Sequence, residues 1–283
     1  MENPIQLQVI AASLHNRLHN SAVHIPRLPN LAGNALQLAL TSGAQPQELE
    51  ALLQSEPAIA DKVLQSANSG FFGSYRSEDL TQVIEHLGLN MTANLAFCAS
   101  IHAGLFYAPG YSQCIVEQLR YSLLCAAWAR EIAILRRRCI DSAFLSGLLK
   151  SIGRPVVIEA ALDCAVRHRM HLSYDDLVIL ADQFESTATE RVLSEWNMPE
   201  TIRDVARHWL NYRAAGEVLE PTMTVTAASR LATRLGRTGK QNVTTTALLK
   251  EPVFHDLGIH ENMLALLLGR AGAVCNFADL LGQ

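Results

Sequence analysis

The 283-residue chain contains 49% hydrophobic and 18% charged residues, a composition that excludes an intrinsically disordered protein. Its formal net charge of −4 does not favour general binding to nucleic acids or to anionic membranes. The longest uninterrupted apolar runs, residues 123–129 and 263–268, are far shorter than the about 20 residues of a transmembrane helix. Because the N-terminus also has no signal-peptide pattern, we predict a cytoplasmic protein.

Apolar residues recur three and four positions apart along almost the whole chain, which predicts helices and no strands. Helix-starting residues occur, in chain order, at Pro46, Pro57, Asp79, Asn90, Ile115, Asp141, Ser173, Pro199, Pro252 and Glu261. We expect the helix from Asp141 to stop at Gly153 and Pro155. Pro221 is interpreted as part of a loop that precedes a helix over residues 225–236.

No internal repeat and no low-complexity linker interrupts the sequence, so we predict one all-α unit over residues 1–283. Within it, residues 1–110 are expected to form an N-terminal helical lobe and residues 111–283 a second lobe that includes the C-terminal helices. The six cysteines contain no C-x-x-C pair, which favours neither a zinc knuckle nor a redox motif. We interpret most of them as small core residues.

Several short motifs follow one another in an order that is typical of one protein family. Residues 28–73 contain Leu-Pro-x-Leu and then Pro-Ala-Ile-x-x-Lys-Val-Leu-x-x-Ala-Asn-Ser-x-Phe-Phe-Gly. The series continues with VIEHLGLNMTANLAF at 83–97, SLLCAAWAREIA at 122–133, DSAFLSGLLKSIG at 141–153, SEWNMPETI at 194–202 and RHW at 207–209. Over residues 26–212 the chain therefore resembles an HDOD domain. This resemblance implies a multi-helix, HD-domain-like bundle.

HDOD domains are similar to the HD superfamily of metal-dependent phosphohydrolases. In that superfamily, histidines and aspartates from several helices hold one or two divalent metals. Such a cation lowers the pKa of a bound water towards about 7 and so creates a hydroxide nucleophile. The resemblance therefore identifies where such ligands would stand in this chain.

Most of these metal-site positions carry residues that are poor metal ligands. Tyr121 stands at the position of the first histidine, and Lys150 and Ser151 replace the His-Asp doublet after Gly-Leu-Leu. The remaining positions are occupied by Glu185, His208 and Ser229, of which only His208 keeps the family's residue type. A charged lysine has no lone pair to offer a cation. We therefore expect no metal, no cofactor and no catalytic residue at these six vestigial positions.

Two arrangements of Lys150 are compatible with the sequence. In the first, its ammonium forms an ion pair with Glu185 and stands where a metal charge stood. In the second, Lys150 points into solvent at a helix end, where the helix dipole favours a cation.

Two further segments are candidates for a ligand or partner surface. The loop after the Ala-Asn-Ser motif offers Asn68, Ser69, Phe71 and Phe72, although Phe71 is also suited to plugging the interface between the lobes. Arg230, Arg234 and Arg237 are spaced so that they share one helix face and can bind phosphates or an acidic partner.

The resemblance and the replaced ligands favour a non-catalytic signalling or regulatory module that acts by binding a protein partner or a small ligand. The alternative is a divergent metal-dependent phosphohydrolase that uses ligands such as His208, Asp182, Glu185 and Asp204. A third reading is a sensor that binds a phosphorylated small ligand through arginines without hydrolysing it. The protein partner and its pathway are unknown, and neither a membrane nor a nucleic acid is expected as a partner.

Overall fold

The computed structural model describes residues 4–20, 22–41, 43–236 and 245–282, and within these residues all regular structure is helical. The predicted all-α fold is therefore confirmed. The first half of the chain forms α1 (Pro4–His19), α2 (Asn30–Leu40), α3 (Pro46–Gln54), α4 (Pro57–Ala67), α5 (Leu80–Leu87), α6 (Leu89–His102), α7 (Ser112–Leu135) and α8 (Ile140–Leu149). The second half forms α9 (Gly153–His168), α10 (Tyr174–Glu195), α11 (Glu200–His208), α12 (Leu219–Leu235), α13 (Thr245–Leu249), α14 (Pro252–Asp256), α15 (Glu261–Gly269) and α16 (Ala271–Leu281).

Local capping explains why several helices begin where the sequence predicts. Asp79 accepts a hydrogen bond from the backbone N–H of Gln82 at 2.9 Å and so starts α5. Ser173 and Asp176 form a reciprocal capping box that starts α10. Because neither helix start depends on tertiary contacts, both were readable from the sequence.

Two prolines were assigned wrongly as loop or stop signals. Pro155 lies in the first turn of α9, and Pro221 lies in the first turn of α12. The first turn of a helix has N–H groups without intrahelical partners, so proline is tolerated there. Both prolines therefore mark where a helix starts.

Helix α7 is the central element of the fold. It packs against α8, α12 and α16, and its side chains are buried along most of its length. Helices α9 and α10 pack together as a pair, and α6 packs against α2 and α4. The core is continuous across these groups. Helix α1 packs against α9 and α10, so contacts cross the predicted boundary between two lobes at residue 110. The division into lobes stays a prediction.

Among the described residues, no single helix has both the length and the hydropathy needed to span a membrane. Helices α15 and α16 meet these criteria only when taken together, with a bend of 43° between them.

Gly153 sets the close approach of α9 to α10. A Cβ atom at this position would lie 2.2 Å from the Thr189 nitrogen and 2.5 Å from the Ala188 carbonyl carbon. We expect Gly153→Ala to lower the free energy of unfolding by about 3 kcal/mol, because backbone atoms cannot rotate away from the added methyl group.

Gly272 in α16 is the matched control, since nothing lies within 4 Å of the equivalent Cβ. Gly272→Ala should raise the free energy of unfolding by about 0.5–1 kcal/mol, because alanine is the better helix former. Urea denaturation followed by circular dichroism measures both values. Similar changes in the two variants would show that α9 and α10 tolerate a wider spacing.

Burial lowers the pKa of His102 in α6, whose Nδ1 bonds the Cys98 carbonyl at 2.9 Å. Below the unfolded-state pKa of about 6.5, the unfolded chain binds a proton that the folded chain does not bind. The free energy of unfolding should therefore fall as the pH is lowered from 7 to 5, by at most about 1.4 kcal/mol per pH unit from this group.

Replacing His102 by asparagine should remove this component of the pH dependence. The exposed His255 supplies the control variant, His255→Gln. Denaturation curves at pH 7, 6 and 5 test the expectation, and an unchanged slope in His102→Asn would assign the pH dependence to other groups.

Candidate functional site

Helices α7, α8, α10 and α12 bring five of the six vestigial positions into one buried polar cluster. The Tyr121 hydroxyl of α7 lies 2.8 Å from the Ser229 hydroxyl of α12. The ammonium group of Lys150, directly after α8, donates to the Ser151 hydroxyl at 2.7 Å. Glu185 of α10 contributes to the electrostatic environment of Lys150. We call this group, together with Arg154 and Trp209, the vestigial centre.

Lys150 is the most deeply buried charge of the vestigial centre, with only 1% of its surface exposed. Its Nζ atom lies 3.7 Å from the centroid of the Trp209 ring and 4.7 Å from that of Tyr121. Aromatic faces attract cations, and this attraction is strongest where water is excluded. The ammonium group is therefore held by two rings and one hydroxyl group.

The electrostatic surroundings of Lys150 keep it charged. Desolvation by itself lowers the pKa of Lys150, whereas the Glu185 carboxylate raises it, as Cys125 and Tyr121 would if they were ionised, and the net direction is upward. Lys150 is also the C-cap of α8, where the helix dipole favours a positive charge. The Glu185 carboxylate, the two aromatic faces and the end of α8 therefore all favour the charged form of this ammonium group.

The groups that surround Lys150 on α7 and α12 are neutral. Burial raises the pKa of the Tyr121 phenol and of the Cys125 thiol, so both hold their protons at neutral pH. The Tyr121 hydroxyl also lies 3.2 Å from the Thr233 hydroxyl. This side of the vestigial centre offers hydroxyl groups and a thiol, and no anion.

The carboxylate of Glu185 pairs with Arg154 in the first turn of α9. Arg154 Nη1 donates to Glu185 Oε2 at 2.7 Å and to Asp182 Oδ1 at 2.5 Å. Both carboxylates raise the pKa of Arg154 against the opposing effect of burial. Glu185 Oε1 is buried and has no hydrogen-bond partner among the described residues.

Neither of the two expected arrangements of Lys150 is present. The Lys150 ammonium and the Glu185 carboxylate are not within the 4.0 Å that defines an ion pair, and Lys150 does not reach solvent. The role of Arg154 as the partner of Glu185 was not foreseen. The available signal was the pair Asp182 and Glu185, which are three residues apart on one face of a helix and therefore favour a shared cation.

His208 is not linked to the other vestigial positions by any described contact. It is half-buried in the last turn of α11, and its Nδ1–H donates to the Asp204 carbonyl at 2.9 Å. Its neighbour Trp209 contacts Lys150 instead, and Thr226 donates to the Trp209 carbonyl at 2.7 Å. The role of Trp209 was not foreseen, because sequence spacing does not show which side chain covers a lysine.

Most of the candidate residues in the loop after α4 contact other parts of the protein. Phe71 is 1% exposed and stacks on Phe277 of α16 with centroids 4.6 Å apart, so of its two expected roles the buried one is present and a place on an exposed partner surface is not. Phe72 is half-buried against the same ring. Asn68 exchanges two hydrogen bonds with the backbone of Ser77, at 2.8 and 2.9 Å.

The remaining loop residue, Ser69, accepts a 3.4 Å hydrogen bond from the Phe71 N–H. The guanidinium of Arg130 lies 5.1 Å from the centroid of the Phe71 ring and 4.7 Å from that of Phe72. Phe71 and Phe72 therefore connect the loop to α7 and α16.

The predicted arginine stripe is partly neutralised within the protein. Arg230 and Arg234 of α12 both pair with Glu251, at 3.6 and 3.2 Å. Arg237 lies outside the described residues. A phosphorylated ligand at this face would have to compete with the Glu251 carboxylate.

All six cysteines are free, and four of them, Cys98, Cys114, Cys125 and Cys164, are buried. Their interpretation as mainly core residues is confirmed, whereas Cys139 is exposed. Among the described histidine, cysteine, aspartate and glutamate residues, no three lie close enough together to hold one metal ion.

A family model described as HDOD domain matches residues 25–212. This range agrees with the resemblance seen over residues 26–212, so that prediction is confirmed. No curated protein matches the chain.

Solved structures share the fold at low sequence identity. A provisionally named metal-dependent phosphohydrolase from Shewanella amazonensis SB2B has a TM-score of 0.76 and 18% identity, over 96% of this chain and 99% of that one. An HDOD domain protein with unknown function from Geobacter sulfurreducens has a TM-score of 0.71 and 15% identity, over 99% of both chains.

A provisionally named signal transduction protein from Marinobacter aquaeolei VT8 has a TM-score of 0.67 and 18% identity, over 96% of this chain and 66% of that one. At these identities the three structures establish likeness of fold alone.

We expect Arg154→Met to lower the free energy of unfolding by about 3–5 kcal/mol, because it leaves the buried Glu185 without its hydrogen-bond donor. The double variant Arg154→Met/Glu185→Met should be less destabilised than the sum of the two single variants. Urea denaturation of all four members of this cycle gives the coupling free energy.

Asp182→Asn is the matched control, since 64% of the Asp182 side chain is exposed and the pair it forms with Arg154 is screened by water. This variant should change the free energy of unfolding by less than about 1 kcal/mol. Additive losses in the Arg154–Glu185 cycle would contradict a coupled buried pair.

Proposed function

The chain belongs to the HDOD domain family, and on that premise we propose that it is a non-catalytic regulatory module for signal transduction. It acts by binding a protein partner or a small ligand, and it does not hydrolyse phosphate esters with a metal. The observation that carries this proposal is the burial of the Lys150 ammonium at the position where the superfamily has its His-Asp doublet.

A buried ammonium group opposes a divalent cation at the same place. Two unit charges about 4 Å apart repel each other by about 4 kcal/mol at an effective dielectric constant of 20, and a dication doubles that cost. Ser151, Tyr121 and Ser229 offer neutral hydroxyl groups, which do not offset this repulsion in the way carboxylates do. The side chains of the vestigial centre therefore do not fit the metal that the superfamily implies.

The carboxylates that the alternative phosphohydrolase would use are engaged elsewhere. Asp182 and Glu185 both bind Arg154, and Asp204 forms an ion pair with Arg207. His208 contacts the backbone of its own helix. This arrangement gives the divergent phosphohydrolase less support than the regulatory module.

The hypothesis that the protein senses phosphorylated small ligands requires arginines that are not already paired with carboxylates. Arg230 and Arg234 share the Glu251 carboxylate, so they offer such a ligand only part of their charge. Binding of a protein partner through another exposed surface does not require either arginine. We therefore keep a protein partner in a signalling pathway as the leading interaction.

Metal stoichiometry tests the proposal directly. Protein purified without an affinity metal and then exposed to Mn²⁺, Fe²⁺, Zn²⁺ or Mg²⁺ should contain far less than one metal per chain by elemental analysis. It should also hydrolyse bis-p-nitrophenyl phosphate no faster than buffer with the same metal, because no metal-bound hydroxide forms.

The variant Lys150→His/Ser151→Asp restores the doublet and is the matched comparison. It should retain more Mn²⁺ than the natural chain, because it exchanges the repelling ammonium for two ligands. One or two metals per natural chain, together with phosphodiesterase activity, would establish the divergent phosphohydrolase instead.

A further inference from the structure

A cavity of about 340 Å³, which shares no lining residue with the vestigial centre, lies between α1, the segment after it, α9 and the loop that joins α6 to α7. Its apolar wall includes Val23, Pro26 and Leu105, and its charged groups come from Arg17, His24, Glu159 and Asp163. Cavities of this size hold small organic ligands, which are bound by apolar walls and oriented by a few polar groups.

Glu159 is the charged group of this cavity without a strong counter-charge. Its Oε1 accepts a hydrogen bond from the backbone N–H of Tyr107, and no ion pair with an arginine or lysine is present among the described residues. Partial burial raises the pKa of the Glu159 carboxyl, while His24 and the Tyr107 N–H lower it, with burial prevailing. A bound cation would supply the missing positive charge.

The other charged groups that line the cavity, Arg17 and Asp163, are paired with each other. Arg17 Nη1 pairs with Asp163 at 2.5 Å, and Arg17 Nη2 donates to the Ala22 carbonyl at 3.2 Å. Arg167 pairs with the same Asp163 carboxylate at 3.1 Å. The arginine that lines the cavity is therefore engaged by the protein, and Glu159 remains the charge with the greater capacity for a ligand.

Tyr107, whose backbone N–H binds Glu159, also brings an aromatic side chain to the rim of the cavity. It lines the cavity and is 74% exposed, which is unusual for a large aromatic side chain in a folded protein. Aromatic rings bind organic cations through their negative faces. An apolar wall, a carboxylate and an aromatic ring together suit an amphipathic ammonium ion.

We propose that this cavity is a binding site for a small organic amine, whose ammonium group pairs with Glu159 and whose apolar part contacts Leu105 and Tyr107. The site is independent of the vestigial centre, so it stands whether or not the protein binds a metal. It also differs from the arginine stripe, because it selects cations and excludes phosphates.

The amide resonance of Tyr107 reports on the site, because its N–H donates to the Glu159 carboxylate. The probes are 2-phenylethylamine, the neutral 2-phenylethanol and the anionic phenylacetate, titrated into the full chain at neutral pH and followed by ¹H–¹⁵N NMR. We expect a saturable shift at Tyr107 with the amine and an affinity about tenfold or more weaker for the alcohol.

Glu159→Gln keeps an oxygen acceptor for the Tyr107 N–H and removes the charge. It should abolish the preference for the amine over the alcohol, whereas Glu261→Gln on α15 should leave that preference unchanged. Tyr107→Ala alters an exposed side chain, so it tests the aromatic contribution without a large risk to folding. It should weaken amine binding.

Equal affinity for the amine and the alcohol would overturn the proposal. So would an unchanged preference in Glu159→Gln, or tighter binding of phenylacetate, which would assign the cavity to anions through Arg17 and His24. The absence of a saturable shift with the amine in the natural chain would overturn it as well. None of these outcomes bears on the metal content of the vestigial centre. The amine site and the proposed regulatory function can therefore be disproved independently.

Discussion

The burial of Lys150 is the constraint on which the centre of this protein depends. An ammonium group removed from water loses a large hydration free energy, and the fold must replace it. Here the replacement comes from the rings of Trp209 and Tyr121, the Ser151 hydroxyl and the end of α8. These groups come from separate elements of the fold. The position of the Lys150 ammonium group therefore requires that all of these elements pack correctly.

The buried ion pair between Arg154 and Glu185 completes this arrangement. Glu185 supplies negative potential to Lys150, and Arg154 prevents that carboxylate from being left unpaired. Two cations, Lys150 and Arg154, thus share one buried carboxylate, and the exposed Asp182 is the second partner of Arg154. The fold thus accommodates a buried ammonium group where the family resemblance places metal ligands, and this feature is the physical support for the proposed regulatory role.

The sequence predicted those features that depend on local chemistry or on motif order. The all-α class, the capping at Ser173 and the range of the HDOD resemblance required only neighbouring residues or short motifs. The sequence could not show that Arg154 meets Glu185 or that Phe71 stacks on Phe277, because each pair joins separate elements. Spacing along one helix defines a shared face, but it does not define which helix covers that face.

Helix α9 connects the two regions that carry functional proposals. Its first turn is fixed by Arg154 in the buried pair and by Gly153, whose N–H donates to Thr189 at 3.0 Å. Glu159 lies five residues further on, about 7.5 Å along the same helix. Since α9 is anchored so close to Glu159, a ligand in the cavity has little freedom to displace the helix. The loop that carries Tyr107 is held by its hydrogen bond to Glu159 and by the buried Phe106 and Ala108 on either side, so the carboxylate links α9 to a loop that is itself anchored in the core.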